Sequence, residues 1–549
     1  MHTSRIVVAS LAAVAACATI LHTVALTPAE LARHDAQPLR VDWDRVEVDD
    51  GEQLEISWLG QPRVGLEGEW IERLLEERFH VELRPVFMDG NAYSRKKPLM
   101  FAGGSVPDVF WEMDPILLQR DAYHRFLLPV PYEVLLRYAP TYIELLNSVT
   151  PIGWLYAFWK GDNFGLPTCY LEGRYSRPGI WRRDWLRQVG IETIPETLDQ
   201  MHEALHRFTY DDPDQDGVAN TYGMSGDVTS FWWGSFNDVF GAYGVTPFDW
   251  MERDGQVVYG GILPETQHAL ALLHEWYAEG IIDPEFVTDR NNRGSLNLKF
   301  MNGRIGYMCY ASSYKGIFDP EDPNSMVNIL AQLDPDAEIA SGWLPRGPGG
   351  HRGSRVWGGG GHVISFGRHL AQHPEKVIRV LKMLEEIMVD EELYIASSRG
   401  QRGLHWEYRD PAVGPNSGTV FLPPYDDRNV QRRSVLGEYF NPMIHPVLED
   451  RYTPRQELAF RDTYNRPEYA MADLLGKPDA VPSAGQYMGD LRSLQLTVFA
   501  EMIRGDRPVE DFDQFVTQWL ERGGAQMLSE ASELHRVSQE IYRKVGALR

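Results

Sequence analysis

Cysteine is nearly absent from this chain. Cys17, Cys169 and Cys309 are the full set, so no disulfide framework holds the fold, and Cys169 and Cys309 could pair at most once. Basic residues are also short, with 53 Lys and Arg against 78 Asp and Glu and a formal net charge of −25. No basic run is long enough to track a phosphate backbone, which makes nucleic acid and anionic membrane surfaces poor candidates as partners. Beyond residue 30 no apolar run could cross a bilayer. G-x-S-x-G motifs, internal repeats and low-complexity tracts are all missing, which removes the common signature of serine hydrolases.

What remains is a long, aromatic, acidic chain. Its 549 residues, with 16 Trp and 25 Tyr, can bury a large core in more than one lobe. MHTSR followed by the apolar run Ile6 to Leu26 is an export signal, so residues 1–26 direct the rest of the chain out of the cytoplasm. Three forms of processing fit. Val14-Ala15-Ala16-Cys17 resembles a lipobox, cleavage can follow Thr23-Val24-Ala25, or the run is retained as an N-terminal span. Residues 27–50 form a polar leader.

From Gly51 the pattern alternates between strand and helix. QLEISWLG sets Leu54, Ile56 and Trp58 on one strand face. GEWIERLLEERFHVELRPV then sets Ile71, Leu74, Leu75 and Phe79 on one helix face before a strand begins at Val81. GGSVPDVFW ends in a buried strand. This alternation predicts an α/β fold with a parallel or mixed sheet. Trp181, Trp185 and Val189 recur at helical spacing, Thr197 and Gln200 form a capping box, and Met201, Leu205 and Phe208 form the stripe of the helix that follows.

Directly after that helix comes DDPDQDGVANTYG. Asp212, Asp214 and Asp216 occupy positions one, three and five of a D-x-D-x-D-G loop and Gly217 its sharp turn, while Val218 offers a carbonyl and Asn220 and Thr221 further oxygens. Hard oxygen ligands at that spacing suit calcium. Such residues also favour an ordinary acidic turn, but carboxylates this close repel one another unless a cation sits between them. Position twelve is Gly223 rather than a bidentate Glu, which argues for a fixed structural site and against a sensor.

The pieces LMFAGGSVPDVFW, WRRDWLRQVGIETIPETLDQMHEAL, DPDQDGVANTYG, ALALLHEWYAEGIIDPEF, FMNGRIGYM, LPRGPGGHRG and HPEKVIRVLKMLEEIM, taken in order, resemble the extracellular solute-binding proteins of family 1. These are carbohydrate receptors of ABC importers, and the likeness is to the branch that includes alginate-oligosaccharide receptors. The resemblance implies a bilobal periplasmic-binding-protein type II fold, with two α/β lobes around a central cleft that closes by a hinge. It puts the first lobe at 51–165 plus 358–405 and the second at 166–357 plus 406–549. It makes Gly358 to His362 a crossover segment, and places the 212–221 loop away from the ligand as a structural calcium site. Asn220 and Thr221 stand where many relatives carry acidic residues, which implies weaker binding. The implied partners are an oligosaccharide or other small solute and the membrane subunits of an ABC permease, with the receptor itself a monomer outside the cytoplasm.

Sugars offer apolar C–H faces ringed by hydroxyls, so their clefts need aromatic platforms with polar groups beside them. Most aromatics here are core, Trp181, Trp185 and Trp276 among them. The candidates for ligand contact are those in stretches without an apolar period: Trp232, Trp233, Tyr310, Tyr314, Trp357, His405 and Trp406, together with Trp111 at a strand end. Two rival readings are a receptor for a peptide or other non-sugar solute, and a secreted polysaccharide-degrading enzyme with a structural calcium. The enzyme needs two carboxylates across a cleft, a feature too common in so acidic a chain to discriminate.

Overall fold

The alternation in QLEISWLG does form a strand, β1 (Leu54–Leu59), with Leu54, Ile56 and Trp58 buried. Helix α1 (Trp70–Phe79) turns Ile71, Leu75 and Phe79 inward and leaves Leu74 half-buried. It returns the chain to β2 (Val81–Pro85), which runs parallel to β1 with Trp58 opposite Pro85. On the other edge of β1 lies β3 (Val109–Glu112), also parallel, with Trp58 opposite Val109.

The computed structural model describes residues 40–547, apart from 62, 114, 229–231, 288–292, 310–313, 361, 438, 441–442 and 444. Residues 1–39, with the export segment and Cys17, lie outside the described residues, as does Tyr310. All elements named here belong to one unit, Trp43–Arg549.

After β4 (Leu166–Pro167) the chain builds a second sheet from β5 (Gly179–Arg182), β6 (Tyr307–Met308) and β7 (Ile339–Gly342). Helices α2 (Leu198–Tyr210) and α3 (Tyr314–Phe318) fall between these strands in sequence. β8 (Ser354–Val356) carries the chain back to β9 (Val363–Phe366), α4 (Pro374–Val389) and α5 (Glu391–Arg399). A long excursion with a small hairpin and helix α6 (Arg455–Tyr464) precedes β10 (Ala470–Ala472) and the terminal helices α7 (Ala484–Arg504) and α8 (Ala525–Lys544).

The first sheet has the order β2-β1-β3-β9-β4, with β9 antiparallel to both neighbours. In the second, β6 and β7 flank β5, both antiparallel to it. The fold is thus mixed α/β, as the sequence predicts. The chain passes between the sheets near residues 168–178, 343–362 and 470–478, and β8 and β10 pair in parallel where the last two passages meet. Terminal helix α7 packs on the second sheet's side, where Gln495 bonds Tyr259 and the carbonyl of Pro247. Just beyond α8, the carbonyl of Val545 accepts from Tyr132 and Asn147 on the first sheet's side.

Two local readings differ from the structure. Trp181 sits in the centre of the second sheet on β5, opposite Tyr307 and Ala340, and only Arg183–Gln188 is helical. The four-residue spacing spans a strand-to-helix junction, because both elements bury their tryptophan in one core. Of residues 406–549, expected with the second lobe, the segment around Tyr439 lies against β1 and β2. The Tyr439 hydroxyl stands 2.8 Å from the carbonyl of Trp58 and 3.0 Å from that of Val86, and Phe440 packs edge-on to Trp58 at 5.5 Å. Cys169 and Cys309 are both free and buried, and burial pushes the Cys169 thiol up to about 12. Among the described residues no helix is long and apolar enough to cross a membrane.

Candidate functional site

Parallel strands β1 and β3 end on the same side of their sheet, and open α/β sheets receive ligands outside those carboxyl ends. Gln61 follows β1 and its amide nitrogen lies 3.3 Å from the Tyr170 hydroxyl. Tyr170 stands on the first passage between the sheets, with its ring 5.2 Å from Trp357 and 5.7 Å from His362. His362 in turn faces Trp111 of β3 at 5.5 Å. Four rings from three chain segments thus meet beside one polar amide. Trp357 is 37% exposed, so it presents a face to solvent, whereas Trp111 is fully buried and backs the cluster.

Glycine makes this meeting possible. The peptide NH of Gly358 donates to the carbonyl of Gly173 at 2.5 Å and that of Tyr170 to Gly359 at 2.8 Å. Gly358 and Gly359 have φ of 89° and 77°, a region that side chains disfavour. A Cβ on Gly173 would meet the Trp357 ring at 2.7 Å, and one on Gly359 would meet the Tyr170 carbonyl at 2.3 Å. Gly358 and Gly359 therefore form a crossing that packs backbone to backbone.

Charge around the cluster is tightly held. His362 is shifted down to about 4 by burial and then by the Lys477 charge, so it is a neutral imidazole at physiological pH. Its Nδ1 is buried without a partner. Lys477 reaches the carbonyl of Met113 just after β3 at 3.2 Å. Behind β3, Lys97 sits between two buried carboxylates, at 2.9 Å from Asp121 and in contact with Glu112. Burial raises Glu112 to about 8, against the opposing pull of Lys97.

Two recesses follow Gly173 along the chain. Glu172, Tyr175, Tyr314, Phe460 and Arg461 line one recess. An adjoining cavity of about 240 Å³ adds Glu449 and Arg466. Tyr314 of α3 and Phe460 of α6 lie 5.5 Å apart across it.

Of the aromatics proposed from sequence, the structure brings Trp111 and Trp357 together around His362 and places Tyr314 on a different recess. Trp232 and Trp233 pack elsewhere: Trp232 lies 4.7 Å from Phe248 under the guanidinium of Arg492, and Trp233 leans on the core that holds Ile180 and Phe300. His405 and Trp406 are buried, His405 5.7 Å from Trp70 and Trp406 clustered with Tyr394 and Tyr452. Trp406 donates to the carbonyl of Gly400 at 2.8 Å and His405 Nδ1 accepts from the Gln401 peptide. Gln61, Tyr170 and Lys477 were not singled out in the sequence. Tyr170 carries a usable signal, since it sits in GLPTCYLEGRYS, an aromatic stretch with no apolar period, whereas Gln61 and Lys477 carry none.

The acidic loop closes on itself at the end of α2. Asp212, Gln215 and Gly217 take φ of 48°, 57° and 76°, which wraps it so tightly that carboxylate oxygens of Asp212, Asp214 and Asp216 come within 4.8 Å of one another. Burial raises Asp214, and the neighbouring charges of Asp216 and Asp212 raise it further. Asp212 Oδ1 is buried without a hydrogen-bond partner. An orphaned oxygen beside two further carboxylates fits a hard divalent cation. The other expected ligands are engaged locally. Asn220 donates its amide to Asp216 at 3.2 Å, the Thr221 hydroxyl donates to the carbonyl of Phe208 at 2.8 Å, and the carbonyl of Val218 accepts from the Asn220 peptide.

The two sheets, the passages between them and the aromatic cluster at the strand ends define a bilobal solute-binding fold. No family model matches the chain. It is 25% identical over 379 residues to the polygalacturonan/rhamnogalacturonan-binding protein YtcQ of Bacillus subtilis, spanning 66% of this chain and 69% of that one. A human-milk-oligosaccharide-binding, ABC-transporter-associated solute-binding protein of Bifidobacterium longum infantis matches 90% of this chain and 99% of its own, at 14% identity and TM-score 0.66. The EF-hand mutant of the S. pneumoniae ABC-transporter substrate-binding protein FusA, in complex with fructo-nystose, matches 91% of this chain and 100% of its own, at 16% identity and TM-score 0.60. The resemblance to the extracellular solute-binding proteins of family 1 is borne out in both sequence and fold. These relatives are binding proteins and not enzymes.

Proposed function

We propose that this chain is the extracytoplasmic receptor of an ABC importer, which binds an oligosaccharide in the cleft between its lobes and hands it unchanged to a membrane permease. The observation that carries this reading is the exposed Trp357 face, held by Tyr170 and His362 beside Gln61 at the carboxyl ends of β1 and β3. A flat ring flanked by an amide and a hydroxyl suits the C–H face and hydroxyl rim of a pyranose or furanose. YtcQ and the Bifidobacterium protein, named for saccharide ligands, and FusA, in complex with fructo-nystose, support it.

In this reading the first lobe holds residues 51–165 plus 358–405 and the second residues 166–357, with the later segments packed on both. Ligand that touches the two lobes together favours the closed form by its differential affinity for it. The acidic loop takes calcium through Asp212, Asp214 and Asp216, and that ion supplies structural charge neutralisation. The FusA structure, described as an EF-hand mutant, supports that assignment. The export segment puts the receptor on the outer side of the membrane, tethered through Cys17 or the retained run, or released.

The test is a panel of neutral and acidic oligosaccharides added to the purified chain, read by intrinsic fluorescence and solution scattering. A saccharide that shifts tryptophan emission and compacts the particle supports the receptor. A panel without any binder, alongside a peptide that binds, would move the assignment to the non-sugar receptor.

A further inference from the structure

Helix α2 carries a feature that neither the aromatic cluster nor the acidic loop uses. His202-Glu203-Ala204-Leu205-His206 is an H-E-x-x-H run. It lies inside one continuous helix, so His202 and His206 stand four residues apart on the same face. Met201, Ala204, Leu205 and Phe208 form the buried side of that helix, which leaves His202 half-buried and His206 exposed. The centroids of the two imidazoles are 6.3 Å apart.

A carboxylate reaches the pair from a separate element. The helix Pro264–Ala278 ends at Glu279, whose Oε2 lies 2.7 Å from His202 Nε2. Glu279 is pinned by its main chain. The Tyr210 hydroxyl, from the last turn of α2, donates to its carbonyl, and the peptide of Gly280, at φ 77°, donates back to Tyr277 at 2.9 Å. His202 is held as well, stacked on the buried Trp276 with centroids 5.9 Å apart and planes 17° from parallel. His206 rests against the Tyr210 ring at 4.7 Å. Two imidazoles and one carboxylate thus share a patch between two helices.

That donor set is the ligand chemistry of zinc and its neighbours, whereas the all-oxygen loop that follows α2 suits calcium. Glu203 would serve a metal-bound water in a hydrolase with this run. Here it pairs with Arg207 at 2.9 Å instead, which argues for an ion that clamps structure and against hydrolysis.

We propose that His202, His206 and Glu279 bind one borderline divalent ion of the zinc class, which ties α2 to the end of the helix Pro264–Ala278. The ion takes the place of the proton between His202 and Glu279, His206 closes on it by side-chain rotation, and water completes a tetrahedron. The inference does not depend on what the cleft binds.

Zinc titration calorimetry tests it on the purified chain without a histidine tag, stripped with chelator and then saturated with calcium. One zinc per chain is expected, with a melting temperature that rises with zinc concentration. His206→Ala and Glu279→Gln should each weaken zinc by more than the about 10–100-fold that loss of an outer-shell partner costs, and Asp214→Ala should leave zinc binding intact. Cobalt(II) in place of zinc gives a reading that needs no variant. The intense visible bands of a tetrahedral site with nitrogen ligands are expected, and the pale spectrum of an octahedral oxygen site overturns the proposal. So does a chain that takes up no zinc, or zinc binding undiminished in both His206→Ala and Glu279→Gln. Zinc binding that Asp214→Ala removes overturns it too, since the ion then sits in the acidic loop.

Discussion

Arg355 Nε lies 2.9 Å from each carboxylate oxygen of the fully buried Asp249. Arg355 is on β8, one of the passages between lobes, and Asp473, next to β10, accepts from the Trp250 peptide at 2.8 Å. Asp249 is thus paired with this guanidinium at the root of the crossing, while Asp473 is held by the peptides of Trp250 and Leu475, and burial raises both carboxylates. Arg355→Met should cost about 3–5 kcal/mol of stability, the range for stripping the partner from a buried charge. Urea unfolding checks this, and loss below about 1 kcal/mol would mean the pair is solvated in solution.

His362 supplies a pH signature. Its folded pKa is depressed to about 4 from 6.5, so the stability gained from its neutral form is present above pH 6.5 and lost as pH falls through about 4. A shift of this size corresponds to at most about 3 kcal/mol. Thermal melts between these limits should fall more steeply for the native chain than for His362→Gln. Parallel curves would mean that the imidazole is solvated and titrates normally.

Calcium should raise the melting temperature and a chelator reverse it, because an ion held only by the folded loop adds about 2.7 kcal/mol at a hundredfold excess over Kd. Asp212→Ala, which removes the orphaned oxygen, should abolish the response. A chelator without effect would leave the loop an acidic turn.

Two tryptophans separate site from core. Trp357→Ala should weaken saccharide binding by about 1–3 kcal/mol with little change in melting temperature. Trp185→Ala, fully buried against Phe208 at 5.5 Å, should instead cost about 3–5 kcal/mol of stability. Calorimetry and unfolding on the same two variants read both.

The strand-helix-strand start, the stripe of α2 and the turn of the acidic loop are legible in sequence because each obeys a local rule: a period of two, a period of 3.6, and carboxylates on alternate positions before glycine. The cap of α2 is a near miss. Thr197 accepts from the Gln200 peptide as expected, but Gln200 reaches back to the peptide of Glu196 in place of Thr197. His405 and Trp406 read as site residues because no period claims them, yet Gly400 folds over both. Local pattern cannot see that Trp70 packs on His405 and Tyr394 and Tyr452 on Trp406, all distant in sequence. Tyr170 and Gln61 meet across more than a hundred residues, and only the path of the crossing segments brings them together.

A receptor holds its sugar and does not consume it. The direct measurement is mass spectrometry of an oligosaccharide pool passed over the immobilised protein and eluted by denaturation at increasing times. The prediction is a retained subset, stoichiometric with protein and of unchanged mass at every time. Products that shorten with time, and that cease to form after a single Asp or Glu substitution, would contradict it.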